Sequence, residues 1–269
     1  VKTRSVTLLI ITLISILIIM LNTCTAPPPV GGARNFVYLH GSNYLEIPHT
    51  ADLDRLSTGD FTVEGWFSSQ GAVSEELSAL FMLGNDLGEN TLGLYHDADQ
   101  GNMWALFVND RLAGLKESSL NTGDGAIHFM LFSYTDSIRT YRLYLDGELF
   151  MKGSADLPLD FQNSNLLIGA DYDGPNTHVG NLWWGNIYEW RLWSSDSDSA
   201  AAAFKHSHPN KLTEHYSPNW QNTLLALWRM DAENGEVPDD SPNSSPAFIM
   251  EFLNKRSISP GTEPKPLNP

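Results

Sequence analysis

The sequence predicts an all-β protein, an antiparallel two-sheet β-sandwich with one short helix, and three observations carry that prediction. About a dozen short runs, apolar or alternating, recur at close spacing between turn-forming residues, which is the pattern of a sandwich or jelly roll. Only residues 197–204 have the marks of a helix, with Ser197 and Asp198 to cap it and four consecutive alanines inside. The stretch 182–194 holds four of the chain's eight tryptophans. Counted by twos, Trp183, Gly185, Ile187, Glu189, Arg191 and Trp193 share one face, and Trp184, Asn186, Tyr188, Trp190 and Leu192 the other. Both faces carry large apolar groups, so this is expected to be a central strand covered on each side.

The other elements follow in order. Residues 35–39 and 44–48 flank His40, Gly41, Ser42 and Asn43 and read as a hairpin ended by Pro48. Residues 52–60 read as a connecting turn into the strand 61–67, where Phe61, Val63 and Phe67 oppose Thr62, Glu64 and Trp66. Residues 79–83 and 91–95 bracket a polar loop with two glycines. Residues 103–108 and 111–115 are joined by Asn109 and Asp110 in a tight hairpin. After strands at 127–134 and 139–145, Asp146-Gly147 is the strongest short hairpin signal, because a type I′ turn needs positive φ at both positions. A strand at 166–169 and an acidic loop at 170–180 lead into the tryptophan-rich stretch. The last strands are 224–230 and 247–252, separated by the turn-rich 239–244.

The ends read as something other than fold. Lys2 and Arg4 precede an apolar run at 6–21, the order of a secretory signal. Its sixteen residues fall short of the roughly 20 that a bilayer-crossing helix needs, so a signal is preferred to a permanent span. The single cysteine, Cys24, follows in Leu21-Asn22-Thr23-Cys24, which resembles a bacterial lipobox, although Thr23 is bulkier than that pattern favours. That resemblance implies an exported lipoprotein, held at the cell surface or in the periplasm by a lipid on Cys24. Without a second cysteine there is no disulfide framework. The expected organisation is a signal at 1–24, a Pro/Gly tether at 25–33, the sandwich at 34–253 and a Pro-rich tail at 254–269 whose composition cannot order itself.

Residues 1–24 contain two basic and no acidic residues, so without them fourteen Lys and Arg face thirty-two Asp and Glu, a net charge of −18. Such a field repels phosphate backbones, and nucleic acid is excluded as a partner.

Several segments, in this order, resemble the LamG-like family of concanavalin A-like jelly rolls: Tyr44-Leu45-Glu46-Ile47-Pro48; Gly59-Asp60-Phe61-Thr62-Val63-Glu64-Gly65-Trp66; His128, with Ile127 where the family usually has Trp; Tyr144-Leu145-Asp146-Gly147; Leu167-Ile168-Gly169; residues 185–193; and residues 224–231 with Asp240-Ser241. Tyr188 stands where the family commonly has Asp. The resemblance implies a two-sheet sandwich, often with calcium at a rim loop, used to bind glycans or proteins; it implies no single activity.

A hydrolase on this fold would show a Glu-x-Asp-x-x-Glu strand that places three carboxylates on one face, and none occurs. Gly-x-Ser-x-Gly, His-Glu-x-x-His and phosphate loops are absent too. His206, His208 and His215 cluster, but Pro209 breaks the spacing of a zinc site. Calcium wants loop oxygens, which Asp86, Asn90, Asp171 and Asp173 would supply if they are more than ordinary turn residues. For sugar binding, aromatic faces and nearby polar groups are needed, and Trp183, Trp184, Tyr172, Trp104 and Tyr144 with Arg142 are the candidates. Trp183 and Trp184 are adjacent in a strand, so only one of them can line a ligand surface. Trp66, Trp190 and Trp193 are expected in the core. The expected function is a non-catalytic, lectin-like extracytoplasmic module for glycan or protein ligands. The alternatives are a glycan-cleaving enzyme of the same fold and a structural surface lipoprotein without a ligand.

Overall fold

Asn109 and Asp110 have φ of 51° and 56°, and Asp146 and Gly147 have 47° and 81°, so both two-residue turns carry the paired positive φ that suits a twisted hairpin. These values come from a computed structural model, which describes residues 35–70, 77–85, 87, 89–97, 102–119, 125–172, 179–207 and 220–251. The expected signal, Cys24, the tether and the tail lie outside the described residues. Among the described residues no helix is long and apolar enough to cross a membrane.

In chain order the strands are β1 (Val37–His40), β2 (Asn43–Ile47), β3 (Phe61–Phe67), β4 (Ser78–Gly84), β5 (Asn90–Asp97), β6 (Met103–Val108), β7 (Arg111–Glu117), β8 (His128–Thr135) and β9 (Thr140–Leu145). They continue with β10 (Glu148–Ser154), β11 (Asn165–Ile168), β12 (Asp171–Tyr172), β13 (Val179–Gly180), β14 (Trp184–Trp193), β15 (Leu224–Trp228), β16 (Glu236–Val237) and β17 (Ala247–Glu251). The helices are α1 (Ala51–Asp54), α2 (Ser199–Ser207) and α3 (Trp220–Thr223).

One sheet has the order β1-β14-β3-β8-β9-β10, with β15 also on β14; the other runs β16-β17-β2-β11-β4-β5-β6-β7. The fold is the antiparallel sandwich that the sequence predicts. Leu39, Leu45, Phe67, Phe81, Phe132 and Trp190 belong to the buried layer between the sheets. The outer face of the second sheet is covered in part by the β12–β13 hairpin, where Tyr172 and Val179 pack on Tyr44, Met82 and Leu167.

β14 is central, as expected: β3 lies along one side, and β1 followed by β15 along the other. Its face assignment needs correction. Ile187 pairs with Phe67 and Trp190 with Gly65, so three steps on β14 match two on β3. That bulge shifts the alternation by one residue. Ile187, Trp190 and Leu192 all enter the interior, while Tyr188, Arg191 and Trp193 belong to the outer side. Gly65 makes the Trp190 position possible, because a Cβ there would sit 2.4 Å from the indole.

Three further expectations change. Residues 35–48 are no hairpin: β1 joins β14 while β2 joins β11 and β17, so Gly41, at φ 75°, carries the chain from one sheet to the other. Both strands turn apolar residues inward, Val37 and Leu39 on one and Leu45 and Ile47 on the other, and facing sheets bury both sets. Residues 51–58 are helical rather than a simple turn, with Thr50 Oγ1 accepting the Leu53 amide at 3.4 Å and Leu53 and Leu56 in the core. α2 begins at Ser199, two residues later than expected, because Asp198 is the residue that accepts the Ala201 amide at 2.8 Å.

Candidate functional site

Most of the aromatic candidates are core residues. Trp104 and Trp183 are 0% and 1% exposed and pack with Phe67 in the interior, their ring centroids 5.8 and 5.6 Å from it. Tyr144 is fully buried on the outer side of the first sheet, with its hydroxyl 3.3 Å from Ser199 Oγ at the start of α2. Tyr172 is buried in its hairpin and accepts from Asn165 Nδ2 at 2.7 Å. None of these four rings offers a free face, which corrects the expectation for each. Large aromatic area is worth most when removed from water, and a chain this rich in tryptophan spends it on the core. Arg142 is half-buried on β9, on the same side of the strand as Tyr144, and donates to Thr135 Oγ1 at 3.2 Å.

Trp184 alone keeps an accessible face, and it stands beside residues that the sequence reading missed. β1 buries Val37 and Leu39 and turns Tyr38 and His40 outward. Phe36, just before it, is 52% exposed and Tyr38 39%. Across the strand pair, Tyr38 faces Asn186 and His40 faces Trp184, and the Phe36 ring lies 5.9 Å from that of Tyr188. Directly opposed residues project on the same side. The result is a ladder of three pairs, Phe36–Tyr188, Tyr38–Asn186 and His40–Trp184, about 13 Å long at strand spacing.

Polar groups hold the ladder in place. Trp184 Nε1 donates to the Tyr38 hydroxyl at 2.6 Å, and Asn186 Nδ2 donates to Ser68 Oγ at 3.2 Å. His40 Nδ1 lies 2.8 Å from Ser42 Oγ. Aromatic faces flanked by a hydroxyl, an imidazole and an amide can stack on the apolar faces of sugar rings and bond their hydroxyls. The signal was present in the alternation Phe36-Val37-Tyr38-Leu39-His40, whose aromatic members all fall on one face. It was read as a hairpin arm instead. At the Phe36 end a cavity of about 620 Å³ opens, lined by Asn35, Phe36, Met230, Asp231, Ala232 and Glu233.

Several buried titratable groups have structural partners. On the outer side of the first sheet, Glu64 Oε1 accepts from Arg191 Nη1 at 3.1 Å and Glu64 Oε2 lies 2.7 Å from Lys205 Nζ, with all three side chains buried; Arg191 also pairs with Glu189. Burial pushes the Lys205 ammonium below its ordinary pKa, and Glu64 opposes that shift. His128 Nδ1 is 2.9 Å from Asp146 Oδ2. His96 Nε2 is 2.6 Å from Asn102 Oδ1, and burial pushes its pKa down.

For calcium, the carboxylate of Asp171 is buried and accepts from Asn181 Nδ2 at 3.0 Å. Asp86, Asp173 and the side chain of Asn90 lie outside the described residues, as do His208, His215 and the side chain of His206. Among the described residues no three His, Cys, Asp or Glu side chains cluster to hold a metal.

The family model described as the concanavalin A-like lectin/glucanases superfamily matches residues 39–201. No curated protein matches the chain. Among solved structures, a putative carbohydrate binding protein from Bacteroides ovatus is 13% identical, with a TM-score of 0.54 over 82% of this chain and 60% of that one. The CBM40 of a Ruminococcus gnavus sialidase, bound to α2,3-sialyllactose, is 10% identical with a TM-score of 0.51, covering 64% of this chain and 96% of its own. The NanB sialidase of Streptococcus pneumoniae is 19% identical with a TM-score of 0.51, over 63% of this chain and 27% of that one. At these identities the likeness is one of fold.

Proposed function

We propose that this chain, which belongs to the concanavalin A-like lectin/glucanases superfamily, is a non-catalytic glycan-binding module whose ligand stacks on the Phe36–Tyr38–Trp184 ladder. The observation that carries this reading is the grouping of two exposed rings, Phe36 and Tyr38, beside the half-buried Trp184, where Phe248 is the one other exposed aromatic among the described residues. No Asp or Glu stands among the six ladder residues, whose aromatic and polar groups suit holding a sugar. Carbohydrate-binding proteins among the structures of the same fold support the ligand class. In this reading the module is exported and displayed on the tether after Cys24.

Polysaccharide-array binding by the wild type and by Phe36→Ala/Tyr38→Ala, with and without calcium, tests it. Retention without released product is expected, falling at least tenfold in the double variant, as loss of two stacking contacts of about 1 kcal/mol each would produce. Intact cells displaying the full chain should retain the same glycan, and Cys24→Ala should abolish retention by the cells. Released oligosaccharide would identify an enzyme, and undiminished retention by the double variant would move the site off the ladder. Calcium-dependent retention would assign an ion to the rim loops.

A further inference from the structure

The charged residues described in the cavity at the Phe36 end of the ladder are both acidic, which bears on the class of glycan accepted, given the glycan-binding reading above. Asp231 and Glu233 are exposed and line the cavity that opens beside the Phe36 ring. No Lys or Arg is among its described lining residues. Arg229 is one residue before Met230, but its Nη1 lies 2.8 Å from Asp240 Oδ2 and its Nε 4.0 Å from Glu189 Oε2, so its charge is already shared by two carboxylates. The whole chain adds a net charge of −16. Among the described residues, a sugar carboxylate brought to Phe36 would meet two carboxylates and no uncommitted Lys or Arg, and like charges placed together at an interface suppress binding of the wrong partner.

We propose that Asp231 and Glu233 are specificity-determining residues: the ladder accepts uncharged glycans and rejects those whose sugars carry a carboxylate, sialylated chains included. The carboxylates act at the rim of the site, so their effect on binding is electrostatic and weakens with salt.

The probe is an array on which each oligosaccharide is printed in sialylated and enzymatically desialylated form, read with the full chain at pH 8 in low salt. Desialylated members are expected to be retained and their sialylated partners roughly tenfold more weakly, a gap of the size that rim charges produce. The gap should shrink in Asp231→Asn/Glu233→Gln and at high salt. Equal retention of both forms by the wild type, or an undiminished gap in the double variant, would overturn the assignment while leaving the ladder intact as a glycan site. Retention of neither form, or retention that survives Phe36→Ala/Tyr38→Ala, would remove the glycan reading and this inference with it.

Discussion

Trp183 and Trp184 are neighbours in sequence with opposite fates. Trp183 donates from Nε1 to Ser68 O at 3.2 Å inside the core, whereas Trp184 lies on the outer side against Tyr38. Trp183→Ala is expected to lower stability by about 3–5 kcal/mol, as truncation of a buried tryptophan does. Trp184→Ala should cost about 1 kcal/mol or less in stability and weaken glycan retention. Urea unfolding alongside array binding separates the two, and a large stability loss in both variants would make Trp184 a packing residue. That one of this pair faces out was legible from strand alternation; which one was not, because neighbours in sequence do not say which face is wet. Tyr38 and His40 were missed for a related reason. A short alternating run looks the same whether its partner is the next strand or one almost 150 residues away.

At the scale of elements, local chemistry was readable and long-range pairing was not. The hairpin turns at Asn109-Asp110 and Asp146-Gly147 follow from φ preferences that any sequence window reveals. The bulge in β14 arises where Tyr188 and Glu189 oppose a single residue of β3, and only the partner strand defines it. The outer covering of the first sheet was equally hidden, because Glu64, Arg191 and Lys205 come from β3, β14 and α2. Lys205 ties α2 to the sheet through Glu64 and donates to Ser197 Oγ at 3.1 Å. Glu64→Ala would leave buried cations without their carboxylate and is expected to cost about 3–5 kcal/mol in chemical unfolding. Glu64→Leu combined with Lys205→Met removes the mismatch and should recover most of that loss. If the double variant is no better than Glu64→Ala, the cluster does not anchor the helix.

Across the whole molecule, stability is expected to depend on pH through His96 in the interior and Glu46 on the outer face of the second sheet. His96 sits at the end of β5, facing Asn102, Asp97 and His128. Burial is the main cause of its depressed pKa, with His128 adding to the shift and Asn102 and Asp97 opposing it. A folded pKa below the unfolded value near 6.5 means that the native state binds fewer protons. Its contribution is therefore complete above that value and is lost as pH falls through the folded pKa. Denaturant midpoints measured from pH 7.5 down to 5 should decline in the wild type and decline less in His96→Gln. Parallel curves would exclude His96 as the group responsible. Glu46, half-buried on the outer face of the second sheet, acts oppositely: burial raises its pKa, so its contribution is present at acid pH and lost as pH rises through the folded value.

The fold class could be read from the chain because strand alternation, turn residues and the order of the family-like segments all agree. The ladder stands at the margin of that agreement. Phe36 and Tyr38 precede the family's matched span, 39–201, and the cavity residues 230–233 follow it. The other four ladder residues, His40, Trp184, Asn186 and Tyr188, lie within that span. Substitutions at residues 35, 36 and 230–233 can therefore reshape the cavity without altering a single residue of the family's matched span.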